Sequence, residues 1–276
     1  MAELIPGQVT IDEGVVFGDG GGRALRADVF TPPGSAPGAA PGVVIVHGGG
    51  WREGDRAQLR SYGIQLARRG CVCAAIEYRL LPEASWPAQI HDVKAAIRWM
   101  RANAASLGVD PDRITITGNS AGGHLSLLAA GTAGNPAFEG EGGHAGASST
   151  VAATVAFYPV VRFVDATGRP TIGSFLFGET PDLGAARAAG PLTHVSAGFP
   201  PTLLIHGTRD ELVPPAHSTE MYDALTAAGV PVELHLFAEQ PHGFDADGRF
   251  SRICVETMSL FIERYVVEGA SLSVAG

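Results

Sequence analysis

The chain has 276 residues, 28 acidic and 19 basic, giving a formal net charge of −9 and a pI near 5.4. An acidic average surface repels polyanions, which excludes nucleic acid and anionic membrane as expected partners and leaves a small neutral molecule as the default ligand. At 45% hydrophobic and 17% charged residues, one large core and a single domain over 1–276 are expected rather than two.

The first residues, MAELIPGQVTIDEG, lack a basic start followed by an apolar run, so no secretory signal is expected. Cys71, Cys73 and Cys254 cannot all pair, and the first two stand two apart on one apolar strand, poor geometry for a bridge. Free thiols in a reducing compartment, hence a cytoplasmic location, follow as expectations.

In chain order, RALRADVF alternates polar and apolar residues and predicts part of an antiparallel edge, with TPPGSAPGAAPG a mobile turn behind it. Unbroken apolar strands then alternate with helical patterns. VVIVH precedes a helix over 59–69, CVCAAIEY precedes one over 88–103, and RITITG precedes one over 121–130. TVAFYPV follows; PTLLIHG precedes a helix over 217–228, and VELHLF precedes one over 250–266. This rhythm predicts an α/β class fold, a mostly parallel central sheet covered on both faces. The uncharged run 114–138 has the length of a membrane span but holds Gly118, Gly122, Gly123, Gly131, Gly134 and Pro136, and reads as strand, turn and helix. The segment 162–200 holds no strand pattern and is expected to form a small cap or lid insertion.

Two motifs carry chemistry. GNSAGG puts Ser120 between a strand and a helix with glycines on either side, the G-x-S-x-G turn that exposes a serine at a helix N-terminus. A serine hydroxyl needs a base, and the base needs a group to fix its tautomer. His242 and Asp210 stand in the loops after successive strands, and the carboxyl ends of parallel strands share one edge. Glu211 and Asp245 are the alternative acids; His206 reads as structural and His124 as packing against the cap. In HGGGW, Gly49 and Gly50, with Ala121 after the serine, would give an oxyanion hole of backbone amides that no Cβ obstructs. Trp51 and Phe244, adjacent to these loops, are expected to bind substrate, whereas Trp86, Tyr158, Phe163, Phe175 and Phe177 read as core.

Together, HGGGW, EYRLLPEASWPAQIHDVKAAIRWM, GNSAGGHL, PPTLLIHGTRDELVP and PHGF resemble the α/β-hydrolase fold serine esterases, specifically the hormone-sensitive-lipase-like and the acetyl- and feruloyl-esterase-like (BD-FAE-like) hydrolases. The resemblance covers nearly the whole chain from Gly14 onward. It implies a serine carboxylesterase (EC 3.1.1 type) cleaving short acyl or aryl esters through an acyl-enzyme, with no metal or organic cofactor. It assigns Ser120 as nucleophile, His242 as base and Asp210 as its orienter, and makes Tyr78, Arg79, Glu83 and Asp92 scaffold. Relatives in this group dimerise through the last strand, here VELHLF, so a homodimer is kept open. Two alternatives use the same residues: an arylformamidase-like amidase or small peptidase with the same triad, and a non-catalytic binding protein on the same fold.

Overall fold

The computed structural model describes residues 4–34, 39–178 and 182–269. Part of the expected turn at 31–42, residues 35–38, lies outside the described residues, as do 179–181 of the expected cap and the Phe175 side chain.

Eight strands form one sheet: β1 (Thr10–Asp19), β2 (Ala24–Thr31), β3 (Ala40–Val46), β4 (Val72–Ile76), β5 (Val109–Asn119), β6 (Ala153–Phe157), β7 (Thr202–Gly207) and β8 (Val232–Phe237). Their spatial order is β1-β2-β4-β3-β5-β6-β7-β8. β2 pairs antiparallel with β1 and β4, and all later pairings are parallel. The helices are α1 (Arg60–Ala67), α2 (Ala88–Ala102), α3 (Ala104–Leu107), α4 (Ala121–Gly131), α5 (Pro136–Glu139), α6 (Leu183–Ala189), α7 (Ala216–Ala227) and α8 (Gly248–Ile262).

The apolar runs are explained by two-sided burial. In β3, Val44 and Val46 join the cluster that contains Ile90, Val93 and Ile97 of α2. Val43 and Ile45, pointing the other way, join Tyr62 and Leu66 of α1 and Val255 and Met258 of α8. A strand covered on both faces has no polar position to alternate with. The uncharged run 114–138 resolves into β5, a turn, α4 and α5, and no helix among the described residues is long and apolar enough to cross a membrane. The long connection between β6 and β7 adds no strand to the sheet. It packs through Phe163, whose ring meets His124 edge-on at 4.9 Å.

Candidate active site

Ser120 sits between β5 and α4 with φ +53° and ψ −116°. Such backbone costs a non-glycine residue roughly 1–3 kcal/mol and survives only where the surroundings over-determine it. Here strand and helix touch. A Cβ on Gly118 would stand 2.5 Å from the Gly122 backbone, and one on Gly122 would stand 2.1 Å from the Val46 carbonyl. The Ser120 amide donates to Phe157 O at 2.9 Å, tying the turn to β6.

The glycine loop after β3 is held from beneath. Tyr78 stacks on His47 with ring centroids 4.4 Å apart and donates its hydroxyl to His47 O at 3.1 Å. His47 Nδ1 donates to Gly48 O at 2.7 Å, and burial lowers its pKa, so the ring stays neutral. Gly49 and Gly50 have φ of +102° and +58°, and among the described residues neither amide donates to a protein acceptor. Ala121 opens α4, so its N–H is one of the donors a helix start leaves unused. The scaffold expected of Arg79 and Asp92 is a fork, Arg79 Nη2 lying 2.7 Å from Asp92 Oδ1.

His242, in the loop after β8, places Nε2 2.9 Å from Ser120 Oγ and Nδ1 2.6 Å from Asp210 Oδ2. Asp210 follows β7 and is 4% exposed. Its Oδ1 accepts the amides of Leu212 and Val213 at 3.0 and 2.8 Å. Burial alone would raise its pKa, but hydrogen bonds from His206, His242 and the Val213 amide overcome that and hold the carboxylate below its ordinary range. Because Asp210 only accepts, Nδ1 of His242 carries the proton and Nε2 is left as the acceptor facing the serine.

A cavity of about 550 Å³ opens over these groups, lined in part by Gly49, Gly50, Asn119, Ser120, Tyr158 and His242. A second, of about 770 Å³, is lined by Trp86, Leu176 and Phe177 and shares Arg52 with the first.

The family model described as BD-FAE matches residues 27–225. The chain belongs to the BD-FAE family. Esterase LipQ of Mycobacterium tuberculosis is 36% identical over 255 residues, covering 88% of this chain and 60% of LipQ. The isoprenylcysteine alpha-carbonyl methylesterase ICME of Arabidopsis thaliana is 30% identical over 246 residues, covering 83% of this chain and 55% of its own. This BD-FAE chain therefore spans little more than half the length of these curated relatives. Among solved structures, Thermogutta terrifontis esterase 2 phosphoramylated by tabun superposes with a TM-score of 0.81 at 29% identity, covering 96% of both chains. A truncated carbohydrate esterase from gut microbiota gives 0.80 at 26%, covering 92% of this chain and 97% of that one. The fold is that of the α/β-hydrolases.

The structure thus brings Ser120, His242 and Asp210 into one hydrogen-bonded line and sets Gly49 and Gly50 in the wall of the same cavity. The alternative acids lie elsewhere: Glu211 is exposed, and Asp245 is buried against Tyr62 and Tyr158. His124 packs under the β6–β7 connection as expected, Nε2 meeting Ala189 O at 2.9 Å.

The expected pocket residues need correction. Trp51 is 2% exposed; with φ +58° it carries its ring beneath the β6–β7 connection, where Nε1 donates to His124 Nδ1 at 3.2 Å. Phe244, 5% exposed, packs against Phe237 and Phe250. Adjacency in sequence to a catalytic loop does not say which way a side chain leaves the backbone. Tyr158, read as core, is indeed 1% exposed and packed in the buried cluster with Phe157 and Phe244, yet it also borders the cavity. Its signal was its place just past the end of β6, on the same sheet edge as the serine turn. His206 was underestimated too, since its Nε2 lies 3.2 Å from Asp210 Oδ2.

Proposed function

We propose that this chain is a carboxylic ester hydrolase that forms an acyl-enzyme on Ser120 and accepts short acyl or aryl esters, acetyl and feruloyl esters among them. The observation that carries the reading is the line from Ser120 Oγ through His242 to Asp210, 2.9 and 2.6 Å, on a strained turn in a cavity that Gly49 and Gly50 also line. As Ser120 Oγ bonds to the ester carbonyl carbon, its proton passes to His242 Nε2 and the carbonyl pair moves onto oxygen, cradled by the amides of Gly49, Gly50 and Ala121. Collapse breaks the bond to the alcohol, which leaves with the proton from His242. Water then repeats the sequence and releases the acid. Asp210, held ionised, keeps the proton on Nδ1 and stabilises the imidazolium.

The smaller cavity suits a short acyl group, and the larger, reached past Arg52, suits the other half of the ester. The 162–200 segment serves as a small cap. The relatives' names as esterases support an ester over an amide bond. Three buried free cysteines support a reducing, cytoplasmic setting, and the free edge of β8 supports a homodimer. The test is hydrolysis of p-nitrophenyl esters from acetate to long acyl chains by the wild type and Ser120→Ala. Rapid turnover of the short esters that vanishes in the variant is expected, and a wild type inert to every ester refutes the reading.

A further inference from the structure

Tyr158 has φ +36°, a value that a bulky side chain keeps only under constraint. Its backbone is tied to the sheet, while its hydroxyl and ring reach the serine turn and the histidine loop of the candidate active site. Its amide donates to Ile205 O at 2.7 Å. Its hydroxyl accepts from Asn119 Nδ2 at 3.3 Å and donates to Asp245 Oδ1 at 2.5 Å. Its ring lies against the His242 imidazole, centroids 4.5 Å apart and planes inclined by 61°. Asn119 is the residue before Ser120, and Asp245 is on the loop that carries His242.

Asp245 has no part in the proton path, yet it is 5% exposed, and among the described residues its partners are two phenols. Tyr62 of α1 donates to Oδ2 at 2.8 Å, opposite Tyr158 on Oδ1. Burial, and next the Asp245 charge, pushes both phenols up, so both remain donors. The direction of the chain is therefore set: Asn119 amide to Tyr158 hydroxyl to Asp245.

The bond from His242 Nδ1 to Asp210 fixes one edge of the imidazole and leaves the ring some freedom to swing about its own side-chain torsions. The side chain of His242 is 20% exposed, so solvent does not restrain it on its open side. The Tyr158 ring, set edge-wise against the imidazole with centroids 4.5 Å apart, limits that swing.

We infer that Tyr158 is a positioning residue for His242: suspended from Asp245, its ring holds the imidazole where Nε2 meets Ser120 Oγ, a restraint separate from Asp210. This rests on the esterase reading above, in which Ser120 and His242 exchange the proton. The same hydroxyl, through Asn119, links the serine turn to the histidine loop, so the two halves of the proton path are held to one frame.

The test compares Tyr158→Phe with Tyr62→Phe. Each removes one phenol donor from Asp245, but only the first changes the residue packed on His242. Steady-state hydrolysis of p-nitrophenyl acetate and the rate of Ser120 phosphorylation by paraoxon are measured well below each variant's Tm. For Tyr158→Phe, kcat and the phosphorylation rate are expected to fall together by about tenfold with KM unchanged within twofold, since the hydroxyl that suspends the ring is lost. Tyr62→Phe is expected to lower Tm while kcat stays within twofold of wild type. Equal kcat in the two variants, or wild-type kcat in Tyr158→Phe, overturns the inference. Should Tyr158→Phe fail to fold, Asp245→Asn replaces it, and a several-fold kcat loss at constant KM is expected against no change as the overturning result. An active wild type that loses activity in Ser120→Ala separates failure of this inference from failure of the esterase reading.

Discussion

Replacing Asp210 by asparagine exchanges one carboxylate oxygen for NH2 and leaves the size of the side chain intact, yet it offers no orientation that satisfies the site. Four donors converge on this carboxylate: the Leu212 and Val213 amides on Oδ1, and His242 Nδ1 and His206 Nε2 on Oδ2. If the new NH2 faces the histidines, two donors meet at the 2.6 Å contact with His242, and the imidazole relieves the clash by moving its proton to Nε2. The nitrogen facing Ser120 then has no lone pair to take the serine proton. If the NH2 faces the other way, it collides with two backbone amides, and the loop after β7 must open. In the first orientation kcat is expected to fall by about 10⁴-fold, the size of effect known for a wrong tautomer, equivalent to about 5 kcal/mol of transition-state stabilisation. The assay is p-nitrophenyl acetate hydrolysis on a variant whose Tm is measured alongside. A folded Asp210→Asn protein within tenfold of wild-type kcat refutes the assignment of Asp210 as orienter.

Gly49→Ala would put a Cβ 2.1 Å from Glu53 O at a φ of +102°; loop distortion should cut kcat by roughly 10²–10³-fold with little change in KM, and an unchanged kcat would remove this loop from the oxyanion hole. Gly122→Ala forces a methyl to 2.1 Å from Val46 O, and thermal unfolding should show a Tm drop of roughly 3–10 °C. Stability should also fall with acid. Burial lowers the His124 and His217 pKa values to about 4, so below the ordinary histidine value of 6.5 the unfolded chain takes up protons that the folded chain refuses. The stability these two rings contribute is thus present above pH 6.5 and lost as pH falls toward 4. Asp210, also depressed, adds a loss only below the ordinary carboxylate value of 3.8. Urea midpoints measured from pH 8 to 4 should fall chiefly below 6.5 and less steeply in His124→Gln, and a flat profile counts against this account.

Much of the site was legible because its residues stand where short-range rules apply. The serine turn needs glycines where strand and helix backbones touch, and Gly118 and Gly122 show that need directly in the sequence. Strand-end loops in a parallel sheet open onto one edge, which is why Asp210 and His242 could be paired with Ser120 across 90 and 122 positions. Side-chain direction was not legible in the same way. Trp51 follows the glycine loop immediately, but its own φ of +58° turns the ring under the β6–β7 connection.

The sequence by itself determined the sheet class, seven of the eight strands in chain order, with β1 (Thr10–Asp19) missed, and the three residues that meet in the Ser120–His242–Asp210 line, since these depend on apolar periodicity, glycine spacing and the position of loops after strands. The tertiary structure alone decided that β1 pairs beside β2, that His206 lies against the Asp210 carboxylate, and that Tyr158 rather than Trp51 packs against His242. Those outcomes come from contacts between segments distant in sequence, such as the Asp245 carboxylate meeting Tyr62 183 positions away and Tyr158 87 positions away. No local pattern encodes such a contact, because each partner's choice depends on where every other element has packed.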